Sequence, residues 1–396
     1  MIENDQTKIK LNPGSMIQIF LESHLIEQIK QIQKNENLND ERDVIVHLIQ
    51  NYFKKNVFDG IPPKEKKNLD FLQTPFDGKF EMQKLEKILA RIESEDFIKK
   101  LPQHEIYGKS NSGMMHRFHT KIFPVKFSLL CLAKMIVDQD TPWIDLNELK
   151  NYTLESAKVF VRKFDSSLIK NKFRFKTGFP VLKLNDFKSQ EDAYLTYARS
   201  SKRFTEQFVG RKLQKHEGVQ MAGACFEMGL IDAKVSYSND EKLKSFNDVN
   251  YGKILVTLSD SGKEFATFKN NLIDFIYKNI LDEPHSIFSN EETSFYFRKI
   301  LPEFEFENKF VKYLMDNEKI EHTSQIKSEF RRQFEMFYHS KFPNDDVLLQ
   351  DNSVRIHSNT IMSRLMEFGV FAKDPKFKSG PYTRMEKIDN LVCVGE

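Results

Sequence analysis

Two periods of hydrophobic and polar positions alternate along this chain, and the switches between them delimit its elements. In "MIQIFLES" (16–23), Ile17, Ile19 and Leu21 fall on one face and Gln18 and Phe20 on the other, which predicts a short strand. The spacing then lengthens. "HLIEQIKQIQKN" (24–35) sets Leu25, Ile26, Ile29 and Ile32 on one helical stripe, and "ERDVIVHLIQNYFKKN" (41–56) does the same with Val44, Ile45, Leu48, Ile49 and Tyr52 after a cap at Asn39 or Asp40. Both patterns stop in residues 58–80, where Gly60, Pro62, Pro63 and Pro75 mark a linker. A helix over about 82–100 and a polar loop at 107–119 follow.

One strand and two helices leave apolar faces uncovered, so the first unit needs a partner to close its core. Its order and spacing over residues 16–53 resemble the ribbon-helix-helix family, whose strands pair between two chains. That resemblance implies a homodimer through 16–53 and places Gln18 and Phe20 outward, with Gln18 able to read adenine. Residues 1–55 hold seven Lys and Arg against eight Asp and Glu, so dimerisation is expected ahead of DNA reading.

From residue 124 the pattern changes again. "PVKFSLLCLAKMIVD" (124–138) is an almost wholly apolar helix, "PWIDL" (142–146) a short extended piece, and "NELKNY" (147–152) and "TLESAKVFVRKFDSSL" (153–168) read as two helices in succession. "NKFRFKTGFPVLKL" (171–184) alternates strictly, as a strand pair does. Further on, a helix is expected to run from Lys215 to about Met228 and end at Gly229. Strand "LIDAKVSYS" (230–238), a polar excursion, a returning strand and one long helix (to 281) come next. "SNTIMSRLMEF" (358–368) ends at Gly369 in the same way before "VFAKD", a turn and "YTRMEKI" (382–388).

These segments resemble winged-helix modules, a helix-turn-helix with an attached β-hairpin, and "LSDSGKEF" (258–265) is similar to the exit from the wing in such regulators. The expected fold class is mainly α with small β-wings: a ribbon-helix-helix-like unit (1–57), a linker (58–80), a connector (81–123) and three winged-helix-like modules at 124–198, 199–285 and 286–396.

Charge localises the candidate chemistry. The whole chain carries only +3, yet residues 158–215 hold fifteen Lys and Arg against five Asp and Glu. So uneven a distribution suits a local polyanion surface better than a solubility device. Lys172, Arg174 and Lys176 project from one face of the "KFRFK" strand beside Lys170. Lys158, Arg162 and Lys163 lie opposite the apolar stripe of the preceding helix, and Arg199, Lys202 and Arg203 follow in "RSSKRF". Such a surface binds phosphates with strong salt dependence and without sequence preference. A charged, solvated edge strand is the bland alternative.

Other chemistries find little footing. "YGKSNSG" lacks the first glycine of a P-loop, and His116 and His119 have no third ligand at a recognisable spacing. Arg355, His357, Arg364 and Tyr382 have the residue types of a tyrosine-recombinase set without its spacing, so a structural role is expected of them. No hydrolase or nucleotide motif is present, and neither catalysis, a cofactor nor a metal is expected. Cys131, Cys225 and Cys393 stand far apart and no run reaches the length of a membrane span, which points to the cytoplasm and away from membranes. The thirty-six phenylalanines are read as core. Together the two resemblances imply double-stranded DNA as partner and a dimeric transcription regulator. A replication initiator or partition protein of a mobile element, and a protein-interaction scaffold, are the alternatives.

Overall fold

The computed structural model describes residues 6–12, 15–20, 79–94, 113–116, 119–167, 178–181, 189–215, 218–236, 253–278, 284–343, 349–374, 376 and 380–385. The chain divides into two compact units, 1–70 and 71–396. In the first, strands β1 (Gln6–Asn12) and β2 (Ser15–Phe20) form an antiparallel hairpin with Lys8 opposite Gln18 and Ile9 opposite Ile17. The strand expected in "MIQIFLES" is thus present, paired with a strand of its own chain that the periodicity did not announce. The two helices expected at 24–56 lie outside the described residues.

The second unit is mainly helical. Helix α1 (Lys79–Leu89) packs on α2 (Phe123–Gln139), a helix so apolar that it is buried on nearly every side. Strand β3 (Ile144–Asp145) passes directly into α3 (Leu146–Ser166), whose first turn is capped by the Asp145 carboxylate accepting from the N–H groups of Asn147 and Glu148 at 2.8 and 3.1 Å. Helix α3 is continuous where two helices were expected. No Gly or Pro interrupts residues 146–166, and buried Thr153 carries the inner face across the expected break.

Helix α4 (Gln190–Phe204) runs into a π-helical turn (Thr205–Val209) and then a hairpin of β4 (Arg211–Lys215) and β5 (Gly218–Ala222). The helix expected over 215–228 is therefore strand at its start. Only α5 (Ala224–Glu227) is helical, because Gly223 (φ +128°) separates it from β5. Strands β6 (Ile231–Ser236) and β7 (Lys253–Leu258) follow and pair antiparallel, and β3 completes the sheet in the order β3-β7-β6. Ser259 ends β7 and caps α6 (Asp260–Thr267), accepting from Gly262 N–H at 3.0 Å and donating to the Gly229 carbonyl at 2.6 Å.

The long helix expected after β7 is broken into α6 and α7 (Asn271–Lys278). The cause lies on α2. The fully buried Lys126 ammonium donates to the carbonyls of Phe265, Ala266 and Phe268 and pairs with Glu292 at 3.1 Å, holding the end of α6 open. Burial lowers the Lys126 pKa and raises that of Glu292 to about 7, with each partner pulling the other the opposite way. Both shifts have one cause, the desolvation of a pair that no water reaches.

The remaining elements are α8 (Asn290–Phe295), a second π-helical turn (Tyr296–Ile300), α9 (Glu305–Met315), β8 (Lys319–Ile320), α10 (Thr323–Lys341), α11 (Asp351–Glu367), β9 (Phe371–Lys373) and β10 (Tyr382–Arg384). Their sheet runs β8-β10-β9 and is antiparallel. This is the order of the first sheet: the strand after the opening helix, then the last strand, then the middle one. A single hydrophobic core runs through both sheets and their helices. Phenylalanines fill it as expected, with Phe179 within 4.9–5.4 Å of the rings of Phe123, Phe127, Phe160 and Phe204, and Phe306 edge-on to Phe330 and Phe334.

Pairing of β3 with β7 joins residues on both sides of the boundary drawn between 198 and 199, so the segments 124–198 and 199–285 share one sheet. A two-residue strand has too few hydrogen bonds to stand alone, and β7 is the edge that satisfies it.

Candidate functional site

The two stretches "FEMG" and "MEFG" end helices α5 and α11 identically. Gly229 (φ +65°) and Gly369 (φ +76°) are left-handed; Leu230 N–H reaches the Cys225 carbonyl and Val370 N–H that of Leu365, the closing bond of a Schellman motif. The glutamate two residues before each glycine then turns inward. Glu227 accepts from the backbone N–H of His116 at 3.2 Å and lies 2.8 Å from His119 Nδ1. Glu367 accepts from the N–H groups of Ile122 and Phe123 at 2.7 and 2.9 Å.

Between these clamps, Glu307 accepts from Met115 N–H at 3.1 Å and is paired with the guanidinium of Arg364, which also donates to the His119 carbonyl at 2.6 Å. Arg364 and Glu307 are both about 1% exposed. The stretch around 113–123 is thus held by carboxylates from α5, α9 and α11. His357 is buried as well, stacked on Phe330. Arg364 and His357 are thus both enclosed by the core.

One face of that stretch opens on a cavity of about 290 Å³. Helix α4 supplies Arg199, Lys202 and Arg203, which at spacings of three and four share one helical face, and Glu206 and Arg211 continue the wall. All four cations are exposed, and Arg199 and Arg203 carry no ion pair among the described residues. Glu206 stands 3.9 Å from Lys202 and 3.8 Å from Arg211, neutralising part of the charge. Lys150 on α3 also adjoins this group. Its burial lowers its pKa, with Glu206 and Arg211 as charged neighbours acting in opposite senses.

The floor is built by glycines. A Cβ on Gly223 would meet Gly210 Cα at 2.7 Å, and one on Gly210 would overlap the Phe226 ring, so these two backbones touch where no side chain fits. Their contact brings the hairpin end, Arg211 and Ala222, under α4. Gly210 N–H reaches back five residues to the Thr205 carbonyl, the bond of the π-helical turn that carries Glu206 into the wall.

Burial alone would raise the Glu227 carboxyl. The His119 ring and, beyond it, His116 outweigh that and hold it below the usual carboxylate range. Glu227 is therefore an anion at the bottom of a cationic cleft. His116, His119 and Glu227 offer one ligand-type atom each within 4.8 Å of one another. The carboxylate that joins the two histidines comes from more than a hundred residues away, where spacing rules cannot see it.

Of the other cations expected at the site, Lys158 pairs with Glu155 at 2.5 Å, Arg162 is exposed, and Lys163 lies 4.3 Å over the Tyr277 ring. Lys158 and Arg162 are charged neighbours of the Tyr197 phenol on α4, so α3 and α4 present adjoining basic surfaces. Lys170, Lys172, Arg174 and Lys176 lie outside the described residues, as does the side chain of Gln18. On either side of the basic stretch, Phe164 and Phe179 are both buried. Among the described residues no helix is long and apolar enough to cross a membrane.

Comparison with known proteins finds no match for this chain, whether among family descriptions, curated sequences or solved structures.

Proposed function

We propose that the chain binds double-stranded DNA through its phosphate backbone, with the basic cleft of α4 and β4 and the exposed side of α3 as the main contact. One observation carries this reading: Arg199, Lys202, Arg203 and Arg211 converge on a single concave surface with only Glu206 paired among them. Multiple uncompensated cations in a concavity raise the local potential and attract a polyanion. The element order supports the same reading. Helix, short strand, helix, helix and two strands occur in α9–β10, and in α2–β7 with the hairpin β4–β5 and the short helix α5 inserted before the last two strands; the strand order of the two sheets is the same, and this resembles the plan of a winged helix. Regulation of transcription as a dimer through residues 16–53 completes the proposal.

A replication initiator or partition protein is the second reading. It is favoured by the fusion of two such units through one core in one chain, which suits adjacent contacts on a repeated site.

The test is retention of random-sequence duplex DNA across a salt series by three full-length proteins: wild type, R199A/K202A/R203A and K172A/R174A/K176A. Each phosphate left without its cation lowers the log–log salt slope by about 0.9, so a shallower slope and weaker binding are expected for both variants. Failure of the wild type to retain DNA at low salt would favour a protein-interaction scaffold. Crosslinking of the full chain, with and without residues 1–57, tests the dimer.

A further inference from the structure

The floor of the cleft holds chemistry that phosphate binding does not use. His119 is 2% exposed, and its Nδ1 stands 2.8 Å from Glu227 Oε2, off the line of a well-formed hydrogen bond. That imidazole nitrogen and the carboxylate therefore point at one small volume rather than away from each other. The His116 ring is 5.3 Å away, centroid to centroid, and tilted by 48°, so the two imidazoles converge rather than stack. One atom from each of His116, His119 and Glu227 falls within a 4.8 Å group, and all three residues face the same cavity.

We propose that His116, His119 and Glu227 bind one divalent transition-metal ion of the zinc class, with its open coordination position turned toward the basic cleft. Two imidazoles and one carboxylate form a three-ligand set of the kind zinc uses when a fourth position is left for an exchangeable ligand. Imidazole nitrogens select against magnesium and calcium, which take oxygen ligands. The fourth ligand is set by the wall above. Arg199, Lys202, Arg203 and Arg211 line the same cavity, so an anionic oxygen such as that of a phosphate completes the sphere. The same cations repel a bare divalent ion. Metal and phosphate therefore strengthen each other's binding, and linkage makes the effect reciprocal. The site rests on imidazole and carboxylate geometry and stands whether or not the chain binds DNA.

The experiment uses the full chain, stripped with a chelator and titrated with Co²⁺, followed by the visible absorption of tetrahedral cobalt, and with Zn²⁺ in competition with a chromophoric chelator. One equivalent with tetrahedral bands is expected, and inorganic phosphate should tighten binding in the wild type but not in R199A/R203A. Loss of a residue that merely orients a ligand already weakens metal binding by about 10–100-fold, so H116A should weaken it by about a hundredfold or more. His116 is the informative choice because it is half-buried, whereas the side chains of His119 and Glu227 are only 3% and 2% exposed. Equal melting of the metal-free wild type and H116A shows that folding is not the cause of the loss. X-ray absorption on the zinc-loaded wild type gives a reading independent of any variant, with imidazole scattering expected. Absence of stoichiometric uptake, equal affinity in H116A, or a zinc shell without imidazole overturns the proposal. Metal uptake without DNA retention, or the reverse, separates it from the DNA-binding reading.

Discussion

Glu227 and Glu367 occupy the same place in the two helix–Glu–x–Gly turns, and their carboxylates close on the same length of backbone, one at His116 and the other at Ile122 and Phe123. The repeated glycine ends each helix. The repeated glutamate satisfies donors that would otherwise be buried without partners.

Glu367→Gln must turn an amide NH₂ toward one of two backbone donors, and should cost about 1–3 kcal/mol in urea denaturation. The pH dependence should change as well. Burial raises the Glu367 carboxyl to about 7, against the pull of Lys121 and of the Ile122 and Phe123 donors, whereas its ordinary value is 4.5. The folded chain holds the extra proton between those values. The stability it contributes is full below the lower value and is lost as pH rises through the upper one. Wild type should therefore lose stability across this window, with Glu292 adding in the same sense, and the slope should be shallower in E367Q.

Removing Arg364 leaves Glu307 charged and buried. Arg364→Met should cost about 3–5 kcal/mol, and adding Glu307→Gln should recover at least about 1 kcal/mol of it, because the uncompensated charge is gone while an acceptor for Met115 N–H remains. Additive losses in the double variant would show that the ion pair is not the source.

Two glycines separate space from conformation. Gly229 has a left-handed backbone and open space around it, so Gly229→Ala should cost about 1–2 kcal/mol. Gly262 has no left-handed backbone, but a Cβ there would overlap the Leu230 carbonyl oxygen, which forces β6 and α6 apart. Gly262→Ala should destabilise more than Gly229→Ala, as read from the denaturation midpoints.

Glu206 tempers the cleft. Glu206→Gln removes the carboxylate near both Lys202 and Arg211 and should strengthen retention of duplex DNA by about two- to fivefold at low salt, with the gain fading at high salt. Weaker retention at low salt would mean that Glu206 positions those cations rather than opposing them.

Local grammar was well expressed in the residues. Gly229 and Gly369 stop helices because their backbone is left-handed, alternation marked β2, and β6 and β7 stand where a strand and a returning strand were expected. Helix breaks and joins were harder to read. The α6–α7 break depends on Lys126, more than a hundred residues upstream, and the β4–β5 hairpin is hidden in a stretch whose apolar spacing also fits a helix. Arg199, Lys202 and Arg203 were visible as charge, but their companions Lys150, His116, His119 and Glu227 meet them only through the fold. No periodic signal connects residues that far apart.

The stretch from Met115 to Phe123 is bonded on one side to α5, which leads into the first sheet, and on the other to α9 and α11, which flank the second. Swinging one sheet away from the other would strip several buried donors at once, so the two halves behave as the jaws of a fixed calliper. On the DNA-binding proposal, a helical polymer contacting both halves would have to present its two touching points at that set distance and phase.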